Sequence, residues 1–196
     1  MHRFCTLLAL LVLLVSSSPT PAELTPRSCS GLGPLSIDVL HRSAPNFPST
    51  GQQFTLHRSY GVTHVISLLT FGYLPQDATG CMLQITIPPL SVPGLMAWGT
   101  ATQVNIWTTD PWWPGSAAPT YNSQPAKRAM VATFIFPTDT TENVFQTYLA
   151  SNVCSDPMSF LVELSDWQSG FGHVDFPNSF EPATGDSMGF ALIHSC

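Results

Sequence analysis

The stretch CMLQITIP, Cys81 to Pro88, sets Met82, Gln84 and Thr86 on one side of an extended chain and Leu83, Ile85 and Ile87 on the other. Successive side chains of a strand point to opposite faces, so this alternation fits a half-buried strand and no helix. The pattern recurs. Phe54, Leu56 and Arg58 alternate with polar neighbours, and ATQVNIWTT puts Val104 and Ile106 opposite Gln103, Asn105 and Trp107. Val62–Phe71 is richer in apolar and β-branched residues and reads as a more deeply buried strand. Ser36–Leu40, Met130–Phe136, Phe160–Leu164 and the closing GFALIHS complete about eight strand candidates, each bounded by Pro, Gly or Asp. The spacing of Val144, Phe145, Tyr148 and Leu149 behind Thr141 predicts at most one short helix, over Thr141–Ser151. Strands without intervening helices predict an all-β fold, an antiparallel β-sandwich.

Composition agrees with a folded chain. Hydrophobic residues make up 44% and charged residues 9%, the reverse of a disordered segment. The N-terminus reads separately. His2 and Arg3 precede an apolar run from Phe4 to Val15, broken only by Thr6, and then small and polar residues to Ala22. That order is a secretory signal peptide over 1–22, with cleavage between Ser17 and Glu23. The run is too short for the roughly twenty residues a membrane-spanning helix needs, and no later stretch approaches that length, so no membrane span is expected in the mature chain. A flexible leader, 23–35, then precedes a single domain, 36–196. The expected location is extracellular.

Four cysteines remain after the signal: Cys29, Cys81, Cys154 and Cys196. In an exported chain they read as two disulfides. Three pairings are open. Cys81–Cys154 would join strand-like segments and Cys29–Cys196 the two termini, and this pairing is favoured. No C-x-x-C pair, paired histidine or calcium loop supports a metal, and no cofactor is implied.

Charge narrows the partners. The net charge is −6, and nothing basic follows Arg128. Nucleic acid is excluded, because phosphate contacts supply most of such affinity. Lys127–Arg128 is the only adjacent basic pair and follows a polar, proline-containing loop, where it offers a processing site or is simply a solvated pair.

Signals for catalysis are sparse. G-x-S-x-G is absent, and His41, His57, His64, His173 and His194 stand in no local catalytic pattern. His173 and Asp175, two apart in GHVDF, share a strand face and make at most half a metal site. Glu163 and Asp166 are the nearest candidate pair for glycoside hydrolysis. A small secreted hydrolase with a non-local carboxylate or serine site therefore stays as one alternative. A glycan-binding loop is another. DPWWPG sets Trp112 and Trp113 beside Asp110, with Tyr121, Asn122 and Gln124 following. Aromatic rings stack on the apolar faces of sugars, and prolines on both sides stiffen the loop. Large aromatics also close the end of a sandwich, and adjacent side chains diverge, so one ring inward and one outward is the simplest arrangement. Trp98, Trp107 and Trp167 read as core or half-buried sheet residues.

GCMLQITIPPL, GTATQVNIWTT, SFLVELSD and GFALIHSC together resemble a family of fungal secreted proteins, over Phe71–Cys196. The family is named for the C-terminal domain of a fungal protein that binds the Uba-three subunit of an activating enzyme. The resemblance implies a cysteine-containing β-sandwich behind a signal peptide, with no catalytic motif to carry over. That named partner is intracellular and is not transferred to a chain bearing an export signal. The expected function is a fungal-type, non-enzymatic binding or surface-interaction protein, its partner a glycan or an extracellular protein.

Overall fold

The computed structural model describes residues 28–49, 53–113, 117–181 and 186–196. The segment read as a signal peptide, and Pro114 and Gly115 of the tryptophan loop, lie outside the described residues. Twelve strands follow one another: β1 (Ser30–Leu32), β2 (Ser36–His41), β3 (Gln53–Ser59), β4 (Val62–Phe71), β5 (Cys81–Ile87), β6 (Ala97–Gly99), β7 (Gln103–Thr109), β8 (Lys127–Ile135), β9 (Phe145–Asn152), β10 (Met158–Leu164), β11 (Gly172–Pro177) and β12 (Gly189–His194). They form two antiparallel sheets. The smaller runs β1-β12-β5-β9, and the larger runs β6-β11-β3-β4-β10-β7-β8 with β2 also paired to β4.

Alternation builds the core as the sequence predicts. Leu83, Ile85 and Ile87 of β5 and Phe190 and Leu192 of β12 face Phe54 and Leu56 of β3, Val104 and Ile106 of β7, Phe160 and Val162 of β10 and Val174 and Phe176 of β11. Phe54 lies at the centre, with the Phe176, Phe190 and Phe136 rings at 4.8, 5.0 and 6.0 Å. From Val65 to Phe71, β4 is buried on both faces. Leu69 and Phe71 point between the sheets, and Ile66 and Leu68 join Leu40 and Leu161 in a second cluster on the outer side. Tyr60 and Gly61 turn β3 into β4, both at positive φ (52° and 72°), the backbone a two-residue hairpin loop requires.

The eight expected strands are present, and four more join them. β1 lies inside the stretch read as a leader: Ser30–Leu32 pairs with Leu192–His194 of β12. β6 is three residues long and β11 carries Gly, Asp and Pro, so neither offers much pattern. The fourth is a correction. The segment expected to be helical is strand β9, and among the described residues there is no helix. A β-bulge is the reason. Leu83 pairs with Ala150 and Gln84 with Tyr148, so Leu149 is an extra residue in β9. Leu149 and Ala150 both pack on the core, which breaks the period of two and imitates helical spacing. Thr141 caps nothing. It bridges to Leu90, whose N–H donates to the Thr141 carbonyl and hydroxyl, both at 3.0 Å.

Both disulfides form in the favoured pairing, Cys29–Cys196 and Cys81–Cys154. Among the described residues no helix is long and apolar enough to cross a membrane.

Candidate functional site

The long loop between β7 and β8 lies over the second cluster and decides the fate of the two tryptophans. Its neck is closed by the Asp110 N–H donating to the Ala126 carbonyl at 3.1 Å. Trp112 folds down. It packs with Trp107 and Tyr121 on Leu40, Ile66, Leu68 and Leu161, and its N–H donates to Ser159 Oγ at 3.2 Å. Trp113 turns the other way and is 41% exposed. Its ring meets Tyr73 edge to face, centroids 6.1 Å apart. Tyr73 is 74% exposed and holds φ at +62°, a backbone conformation uncommon for a residue with a side chain. Gly72 beneath them leaves the space: a Cβ there would stand 3.3 Å from Trp113 Cζ3, 3.1 Å from Leu35 Cδ2 and 3.7 Å from Asp156 Oδ1. Next to this corner is a cleft of about 320 Å³ lined by Leu74, Gln76, Ser155 and Asp156.

The candidate ligand residues are thus divided. Trp112 and Tyr121 cover a core, and Asp110 is ion-paired with Arg128, Nε to Oδ1 2.5 Å. Asn122 donates to Asn46 Oδ1 at 2.8 Å and Gln124 to the Tyr121 carbonyl at 3.1 Å, so both amides brace loops. Trp113 alone of the set faces outward with an aromatic partner. That partner, Tyr73, is 40 residues earlier in the chain, and no local signal announces it.

Other expected features find structural partners. Lys127–Arg128 begins β8 and is not part of the loop before it. Lys127 Nζ lies 2.6 Å from both Glu163 oxygens and 5.3 Å from the centre of the Trp107 ring. Both disulfides span position 128, so a chain cut there would remain joined. Asp166 pairs at 3.0 Å with Arg58, which is 2% exposed and also donates to the carbonyls of Ser165 and Gln168. Glu163 and Asp166 are therefore held by different cations. His194 Nδ1 is 3.0 Å from the neighbouring Ser195 Oγ. Trp167, expected in or near the sheet, is 69% exposed, and Trp98 lies exposed on the short strand β6.

Three histidines meet on the outer face of the larger sheet. His57 of β3 stands between His64 of β4 and His173 of β11, with centroids 5.5 and 5.7 Å apart. Trp98 stacks on His173 at 3.8 Å and Phe171 meets His57 at 5.6 Å. Asp175 is occupied, accepting from Gln53 Nε2 at 2.6 Å and Thr55 Oγ1 at 2.7 Å. Among the described residues no three His, Cys, Asp or Glu side chains group as metal ligands. Burial holds the His57 ring below the usual imidazole value, and the charge on His64 adds to this. Burial also lowers His173, opposed by Asp175 and reinforced by His57.

The sign of the pH effect follows. Below about pH 6.5 the unfolded chain takes up protons that the folded chain resists. Stability contributed by these rings is complete above that pH and is lost as pH falls. A thermal melt should show a lower midpoint at pH 5 than at pH 7.5. The His57→Gln/His173→Gln variant should show a smaller difference between the two. An equal difference in the variant would place the pH sensitivity elsewhere.

No protein-family model matches the chain, and a search of curated proteins finds no match.

Proposed function

We propose that this chain is an exported, non-enzymatic binding protein that holds a glycan at the Trp113–Tyr73 corner. One observation carries the reading: two exposed aromatic rings, fixed against each other at 6.1 Å, stand beside a cleft whose wall includes Gln76, Ser155 and Asp156. Ring faces suit the apolar side of a pyranose, and the polar wall suits its hydroxyls. The cleft itself is closed by a disulfide, since Cys154 of the Cys81–Cys154 bridge lines it, which limits the freedom its wall would lose on binding. The signal-like N-terminus and the two disulfides support export. The likeness of Phe71–Cys196 to the fungal secreted family supports a role outside a fungal cell, on a wall or on a host surface.

Retention on insoluble chitin, β-glucan and cellulose tests this. The wild type should be retained on at least one, and Trp113→Ala/Tyr73→Ala should reduce its affinity about thirtyfold or more, since groups at the centre of a site contribute about 2 kcal/mol and above. Circular dichroism should show that variant folded. Trp112→Ala should instead lower stability by about 1–3 kcal/mol, less than for a fully buried aromatic, because its ring is only partly covered. A wild type that passes through all three supports would remove the glycan reading and leave a protein partner.

A further inference from the structure

The outer face of the smaller sheet carries a groove of about 320 Å³, separate from the Trp113 corner. Its floor is Gln84 and Thr86 of β5. Both point away from the core, yet they are only 5% and 6% exposed. Ordinary outward residues of a sandwich are wet, so these two sit at the bottom of a hollow. Neither side chain hydrogen-bonds to another described residue, and neither polar end is sealed from the groove it lines. Their polar ends are therefore presented to the groove itself, where the hydroxyls of a ligand can meet them.

The surrounding residues extend the pattern. Cross-strand register places Tyr148 directly beside Gln84 and Gln146 directly beside Thr86 on β9. Val144 and Phe180 form apolar walls. Phe180 reaches its place because β1 has glycine beneath it: a Cβ on Gly31 would come 2.5 Å from Phe180 Cζ. Among the described residues the lining contains no ionisable acid or base other than the Tyr148 phenol, since Cys29 is in a disulfide. β5 is hydrogen-bonded to β12 on one side and β9 on the other, so its backbone has nothing to offer a ligand strand.

We infer that this groove is a second binding site, for a neutral polyhydroxylated chain such as an oligosaccharide. Each amide presents a donor and an acceptor in one plane, which matches a pair of adjacent hydroxyls. Threonine and tyrosine hydroxyls serve either role, and the apolar walls take the C–H faces of the rings. An anion or a cation finds no counter-charge among the described lining residues. The site stands independently of the Trp113 corner.

Side-chain amide NMR tests it directly. The uniformly ¹⁵N-labelled protein would be titrated with cellohexaose, laminarihexaose and chitohexaose, and separately with an uncharged Ser/Val peptide. The Gln84 and Gln146 side-chain resonances are assigned by their loss in Gln84→Leu and Gln146→Leu. At least one hexaose should shift both amides saturably, and the double variant should bind it at least tenfold more weakly. The double variant should keep the circular dichroism spectrum of the wild type, because leucine occupies much the same space as glutamine and neither side chain holds the fold by a hydrogen bond to another described residue. Trp113→Ala should leave the two amide shifts unchanged. The inference is overturned if no hexaose moves these amides, if only the peptide does, or if the double variant binds as the wild type does. Shifts confined to residues around Trp113 and Tyr73 would overturn it too, while leaving the first site in place.

Discussion

Phe54→Ala is expected to lower the unfolding free energy by about 3–5 kcal/mol. Phe54 has no exposed surface. It belongs to β3 of the larger sheet and touches Phe176 of the same sheet, Phe190 of the smaller one, and Phe136 just after β8. Truncating it removes the ring from the point where the sheets meet and leaves a hollow that three other rings cannot fill without leaving their own contacts. The loss is therefore both the transfer of the ring and the cavity left behind. Urea unfolding followed by tryptophan fluorescence gives the number. Phe54→Leu should cost visibly less, because it restores most of the volume. Phe145→Ala, at an exposed position of β9, should cost less still. A loss below about 1 kcal/mol for Phe54→Ala would mean that the sheets are not joined through this cluster.

Replacing Cys81 and Cys154 together by alanine is expected to cost about 4 kcal/mol. The bridge joins residues 73 apart in sequence, and without it the unfolded chain regains the freedom of that long loop. Cys81 is wholly buried and packs in the core at the start of β5, so native packing also suffers. The bridge fastens this strand to the turn that leaves β9, and Cys154 lines the cleft next to Leu74 and Asp156. Denaturation of the variant beside the oxidised wild type measures the effect. Equal midpoints would show that the bridge restrains little beyond what pairing of β5 with β9 already restrains. The same variant should hold the cleft less firmly and weaken retention on a polysaccharide before the fold is lost.

The sequence by itself determined the class of fold. Alternation at Met82–Ile87 and Gln103–Trp107 can be satisfied only by strands with one face buried, whatever their neighbours. Two disulfides were legible as well, but three pairings stayed open, and the structure forms the one that was favoured. What failed did so where pattern is short or is broken by pairing. β1 and β6 are three residues each and hold no period. β9 looked helical because a bulge at Leu149 turned two successive residues inward, and a bulge exists only in relation to the strand opposite.

The sites depended still more on tertiary structure. DPWWPG showed two aromatic residues, and adjacency showed that they should diverge, but which one turned inward was set by the apolar hollow over Leu40, Ile66, Leu68 and Leu161. That hollow is assembled from β2, β4 and β10, which are far apart in the chain. The partner of Trp113 is Tyr73, brought to it by pairing of β4 with β10 and β10 with β7. Gln84 and Thr86 were read correctly as the polar face of β5. Only the register with β9, and Gly31 of β1 that admits Phe180, made that face a hollow. Local sequence fixes which way a side chain alternates, because backbone sterics act between neighbours. What that side chain meets is fixed by residues distant in the chain, and for this protein that decided which polar and aromatic groups are presented at the corner and in the groove.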